Sequence, residues 1–268
     1  MREDYDAIDA LNWSTLSKLA TSPALMRFRR DNPEPDSAAF RLGRAVHCAI
    51  LEPEAWPVRY AVAPDVDRKT REGKAAYADF LTTALSIEVL SSGEWDLAER
   101  CARAVRSHRV AADLLRGGRA EETVQWIDAT TGVACKGRLD YLCPDCVVDL
   151  KTTRRATVRE FVRDVATFRY HGQVAWYRDG AIAAGLLPPD AEAYILAVQT
   201  VEPYDVIAAR LSAETMMLGN ALWRDLLRRY CECRAADIWP GVAPDLITLD
   251  LPPWALDAAA LPDEGGTW

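Results

Sequence analysis

GRLDYLCPDCVVDLKTT, residues 137–153, sets Asp140 and Asp149 on either side of a turn and follows the second acid with Lys151. The flanking runs, GVACKGRLDYLC and CVVDLKTT, read as strands, with Pro144-Asp145 as the turn between them. If those two residues form the tip, Leu142 faces Val147 and Asp140 faces Asp149, with Cβ atoms roughly 5 Å apart. Proline does not suit the usual two-residue hairpin turn, so a longer loop with the register shifted by one is also compatible. Side chains alternate along a strand. Lys136, Arg138 and Asp140 then share one face, Cys135, Leu139 and Tyr141 the other, and Val147, Asp149 and Lys151 share a face of the second strand.

Opposed aspartates destabilise a sheet unless a cation sits between them. Two readings follow. In one, Lys136, Arg138 and Lys151 neutralise the acids on a solvated polar face. In the other, the carboxylates and a nearby backbone carbonyl supply hard oxygen ligands to a divalent cation, and the lysine orients water or stabilises developing charge. The second is the chemistry of phosphodiester hydrolysis.

The 268 residues suffice for one large or two small domains. With 50% hydrophobic and 27% charged residues the composition is that of a soluble chain. No apolar run approaches the roughly 18 residues that span a bilayer, and MREDYDAIDA lacks a signal peptide's apolar stretch. Together with seven irregularly spaced cysteines, this leads to an expectation of a cytoplasmic protein. A net charge of −8 argues against a general basic coat for nucleic acid but leaves room for a local basic surface.

Helical spacing is read in LNWSTLSKLATSPA, with Ser14 as N-cap and a second helix starting at Pro23, and in SAAFRLGRAVHCAILEP, which carries His47. Residues 64–74 read as a charged loop, and Ser91 to Arg116 as one helix opened by a Ser91/Glu94 capping box. After the strand meander come helices through TVREFVRDVATFRY and from about Gln173 to Ala184, two strands, AYILAVQT and YDVIAARL, and a long helix from Ser212 to about Ala236. The expected fold is α/β (α+β) with a central mixed sheet flanked by helices. It divides into a mainly helical part (1–118), catalytic sheet and helices (119–211), a C-terminal helix (212–239) and a Pro-rich irregular tail (240–268).

GRLD followed by VVDLKTT resembles the core of the PD-(D/E)xK nuclease superfamily, with Asp140 as the first acid and Asp149-Leu150-Lys151 as its D-x-K element. LGRAVHCAILEPEAW resembles the histidine helix of RecB-like and RecE-like nucleases, and QVAWY their Gln-x-x-x-Tyr helix. LSKLATSPA, DRKTREGKAAYADF and ETVQWIDATTGVACKGRLD resemble RecE-like, lambda-exonuclease-like proteins, so the likeness runs from about Leu11 to Tyr177. It implies a single restriction-endonuclease-like domain spanning 1–239. It also implies metal ligation by Asp140, Asp149, the Leu150 carbonyl and His47, a catalytic Lys151, and a supporting pair, Gln173 and Tyr177. A further acid before the hairpin is implied; Glu121 matches it better than its neighbour Glu122.

The activity so implied is a Mg²⁺- or Mn²⁺-dependent exodeoxyribonuclease at double-stranded DNA ends, running 5′-to-3′ in phage-type recombination. A homo-oligomeric ring and a single-strand annealing partner are implied by the same likeness. For DNA contact the sequence offers Arg154, Arg155, Arg159 and Arg163, with Arg155, Arg159 and Arg163 along one helix face beside the acids, and a second loop with Arg68 and Lys69. Arg100, Arg103 and Arg106 read as a wet helix face, His108 and His171 as surface or capping residues, and Trp13 and Tyr170 as packing residues first, with stacking on or wedging against bases as the alternative.

Two other classes stay open. A DNA-binding or assembly protein could keep the fold without the activity. A zinc or thiol module could centre on Cys143-x-x-Cys146, although zinc wants four ligands and redox chemistry a following helix, whereas strand follows here.

Overall fold

The computed structural model describes residues 5–84, 87–155 and 157–252. In chain order its elements are α1 (Trp13–Leu16), a 3₁₀ turn (Ser17–Ala20), α2 (Pro23–Asp31), α3 (Ala38–Leu51), α4 (Trp56–Arg59), β1 (Tyr60–Val62), α5 (Arg71–Thr83), β2 (Glu88–Leu90), α6 (Ser92–Ser107), α7 (Arg109–Leu114), β3 (Arg119–Ile127), β4 (Ala134–Leu142), β5 (Cys146–Thr153), α8 (Val158–Thr167), α9 (Tyr170–Ala183), β6 (Glu192–Gln199), β7 (Val206–Arg210) and α10 (Ala213–Ala236). β3 to β7 form one sheet in the order β3-β4-β5-β6-β7, antiparallel except for the parallel β5/β6 pair. β1 and β2 make a small parallel sheet that the sequence reading did not anticipate.

Helices cover both faces. On one, α9 and α10 pack with Trp13, Leu139, Val147, Ile195 and Trp223 around Trp176, whose indole N–H donates to the Lys136 carbonyl at 3.1 Å. On the other, α3 and α6 pack on Tyr141, Val148, Leu150, Leu196 and Val198. Gly219 of α10 lets that helix close on α9, since a Cβ there would lie 2.4 Å from the His171 carbonyl oxygen. This is the mixed sheet flanked by helices that the alternating pattern of strands and helices indicated.

Local chemistry moves several boundaries. The cap of α1 is Asn12 rather than Ser14: its Oδ1 accepts from the Thr15 N–H, and Ser14 lies inside the first turn. Residues expected as loop to 74 enter α5 at Arg71, because Thr70 caps it by accepting from the Gly73 N–H. The helix expected over 91–116 breaks at His108, whose Nδ1 caps α7 through the Ala111 N–H. α8 starts at Val158 behind a Thr157/Glu160 capping box, so Arg155 precedes the helix and cannot share a helix face with Arg159 and Arg163. Of the expected tail, 240–252 carries no helix or strand and 253–268 lies outside the described residues.

Candidate metal centre

The β4/β5 hairpin closes in the unshifted register: Leu142 pairs with Val147, Tyr141 with Val148, and the Cys143 N–H donates to the Cys146 carbonyl at 2.9 Å. One step further the Leu150 N–H is taken by a side chain, Asp140 Oδ2, at 2.7 Å. β3 runs along β4 with Ala120 opposite Tyr141 and Glu122 opposite Leu139, which sets Glu121 opposite Asp140. Glu121, Asp140 and Asp149 therefore stand at one level across three adjoining strands.

At that level the side-chain alternation of β3 and β4 breaks. Leu139 and Val124 belong to the α9/α10 core, yet Tyr141 and Ala120, which strict alternation would put on the same side, belong to the α3/α6 core. This corrects the expectation that Leu139 and Tyr141 share a face. The break coincides with Glu121, a non-glycine residue held at φ 52°, in the left-handed region that costs on the order of 1–2 kcal/mol.

α3 brings His47 over the hairpin from the α3/α6 side. Its Nδ1 lies 3.8 Å from Asp140 Oδ1, and it also meets the Leu150 backbone. Ligand atoms of His47, Glu121 and Asp140 all lie within 4.8 Å of one another. Asp149 falls outside that group among the described residues. It is fully buried; its Oδ2 pairs with Lys151 Nζ at 2.6 Å, while its Oδ1 has no hydrogen-bond partner. Glu122 turns away to Arg119 at 3.2 Å.

The electrostatics show a surplus of negative charge. Burial, with repulsion from Asp140, pushes the Glu121 carboxyl up to about 7 despite Arg138 at 3.0 Å. Burial likewise raises Asp149 to about 6, with Asp140 adding to the rise and Lys151 opposing it, and burial raises Asp140. His47 is lowered to about 4 by burial and by the Lys151 charge. Burial works against the ammonium of Lys151, but Asp149 and Asp140 outweigh it and hold its pKa above the usual value. The carboxylates of Glu121 and Asp140 with the His47 imidazole form a donor set that a hard divalent cation fits, and such an ion would relieve the surplus.

The neutralising role considered for Lys136 is not what the structure shows. Its buried ammonium donates to the Tyr5 and Ile8 carbonyls at 2.7 and 2.8 Å, well up the strand from the acids. Gln173 Nε2 donates to the Tyr177 hydroxyl at 3.1 Å, and the Tyr177 ring lies on Gly137, where a Cβ would come within 2.9 Å of it. Burial and the nearby Asp140 and Asp149 push the Tyr177 phenol well above its usual pKa. Tyr170, read from the sequence as packing, sets its ring 4.9 Å from Lys151 Nζ. Its spacing with Gln173 and Tyr177, at i, i+3 and i+7, was the signal that all three share the site face of α9.

Among the basic candidates, Arg154, Arg159 and Arg163 are exposed, while Arg155 is held by Asp164 through two contacts of 2.8 and 3.0 Å. Arg68 lies over the Tyr77 ring at 4.8 Å, and Lys69 is exposed. Cys143 and Cys146 are buried free thiols, Cys143 donating to the Leu114 carbonyl at 3.3 Å, and among the described residues no metal-ligating group includes them.

A mixed sheet carrying a row of acids and an Asp-x-Lys element on its central hairpin defines a PDDEXK-like domain. The chain belongs to that family: residues 13–246 match the PDDEXK-like domain of unknown function. Its fold is similar to that of a "putative exonuclease" from Eubacterium rectale, at 13% identity and a TM-score of 0.60, covering 97% of this chain and 95% of the other. No curated protein matches the sequence.

Proposed function

We propose that the protein is a Mg²⁺- or Mn²⁺-dependent deoxyribonuclease that degrades double-stranded DNA from its ends. The observation that carries this reading is the level row Glu121–Asp140–Asp149 with Lys151 beside its most buried member. His47, Glu121, Asp140, Asp149 and the Leu150 carbonyl would hold the ion, which supplies Lewis-acid polarisation of the phosphate and a lowered pKa for water.

The chain's own residues do the rest. Lys151 presents its ammonium to the charge that develops on the phosphate oxygens, in a setting where burial strengthens the interaction. The Asp149 carboxylate fixes that ammonium, and the Gln173–Tyr177 pair closes the α9 side of the site. Arg154, exposed three residues after Lys151, and Arg159 and Arg163, exposed on α8, offer phosphate contacts. The "putative exonuclease" with the same fold supports action from ends. The sequence resemblance supports 5′-to-3′ polarity, a ring-shaped homo-oligomer and a role beside an annealing protein in phage-type recombination.

The test is digestion of linear duplexes with a 5′ phosphate, a 5′ hydroxyl or a blocked end, against a covalently closed circle, in Mg²⁺, Mn²⁺ or EDTA. Linear DNA lost only with metal, and a surviving circle, is the expected result. Intact linear DNA under every condition overturns the proposal.

A further inference from the structure

Phe168 is the C-cap of α8 and 55% exposed, an aromatic ring left in water. The chain then turns through Arg169, at φ 59°, into α9. The turn lays the Phe168 ring against Tyr170, with centroids 5.6 Å apart and planes inclined by 29°. Tyr170 in turn carries the Lys151 ammonium at 4.9 Å from its own ring. An unbroken line thus runs from solvent through two stacked rings to the lysine.

We infer that Phe168, seated on Tyr170, is a stacking platform for an unpaired nucleobase of the DNA strand whose phosphate lies in the site. The inference rests on the proposed nuclease reading and specifies its substrate: the nucleotide next to the cut is unstacked from the duplex. A π-face is what every base offers once it leaves its neighbours, and stacking on an aromatic side chain tolerates any sequence. Duplex bases already stack on one another, so such a platform adds affinity only for a frayed or single-stranded end.

The experiment measures binding of the full chain, in Mg²⁺, to duplexes ending in a short uncleavable phosphorothioate tail that carries either 2-aminopurine or abasic sites. The parent is expected to prefer the base-bearing tail and to quench its fluorescence. Phe168→Ala should bind that tail about tenfold more weakly, as for loss of one stacked base, and the abasic tail as the parent does. Phe168→Trp should restore the preference. If Phe168→Ala binds both tails like a parent that cleaves linear DNA, the platform is wrong and the nuclease stands. A parent that neither binds nor cleaves DNA sinks both. If Phe168→Ala alters only the oligomeric state of the DNA-free protein, the ring serves self-association and the inference falls.

Discussion

Two ends of β4 carry buried charge, and they are treated in opposite ways. Near its start, the Lys136 ammonium is 4% exposed and gives hydrogen bonds to two backbone carbonyls while lying 4.5 Å from the Tyr5 ring. Near its end, Asp140 faces Glu121 and adjoins the fully buried Asp149, so three carboxylates meet with Lys151 at 2.6 Å from Asp149 and Arg138 at 3.0 Å from Glu121 to offset them. A buried charge with its partners in place holds structure together; one left without them destabilises it. The first arrangement pins the N-terminal segment to the sheet, and the second leaves a deficit of positive charge at one point.

The sharpest break of this contrast is Lys151→Ala. Cleavage of end-labelled duplex should fall on the order of a thousandfold, the scale of removing a group that acts on transition-state charge, with far-UV dichroism unchanged. Cleavage at the parent's rate would remove the lysine from the chemistry. Lys136→Met should do the reverse: it removes both lysine hydrogen bonds to the Tyr5 and Ile8 carbonyls, which keep only the Ile8 and Ala10 N–H groups, and lowers stability by about 1–2 kcal/mol in denaturant melts, while activity of the folded fraction persists.

Asp149→Asn should leave the metal-free protein at least as stable as the parent at pH 8, since an amide avoids burying an unneeded charge. The rise in Tm on adding Mn²⁺ should shrink or vanish. A large loss of stability in EDTA would mean that the Lys151 pair is structural.

Glu121→Gln gives a smaller, pH-dependent effect. The folded pKa of Glu121, about 7, lies above its ordinary value, so its favourable contribution is complete below the ordinary carboxylate range and is lost as pH rises through 7. The metal-free variant should therefore gain on the parent by about 1–2 kcal/mol at pH 8, discounted for partial exposure and the Arg138 pair, and the gain should disappear by pH 5. Thermal melts at the two pH values decide it. Smallest of all, the double change Cys143→Ser and Cys146→Ser should cost about 1 kcal/mol of stability and leave cleavage and metal content alone; loss of bound zinc in that variant would revive a thiol-based module.

The sequence made the hairpin legible because turn position and alternation fix which residues face each other, and Leu142 does pair with Val147. His47 reached the reading through resemblance, since nothing in local spacing says which strand a helix will cover. Glu121 needed the β3/β4 register and a backbone angle that no propensity favours in a strand. The partners of Lys136 are backbone carbonyls more than 100 residues away in sequence, invisible to charge patterning. Arg155 is different: Thr157 and Glu160 spell a capping box that places it before the helix, and that signal was there to be used.

The left-handed turn of backbone at Glu121 has one more consequence. Because β3 and β4 change sides together there, the two hydrophobic layers are interlocked at the acids rather than simply stacked about a flat sheet. Native pairing of β3 with β4 and the meeting of Glu121 with Asp140 are thus a single event, and a chain misregistered by one position along β3 would bury its layers wrongly while parting the two acids.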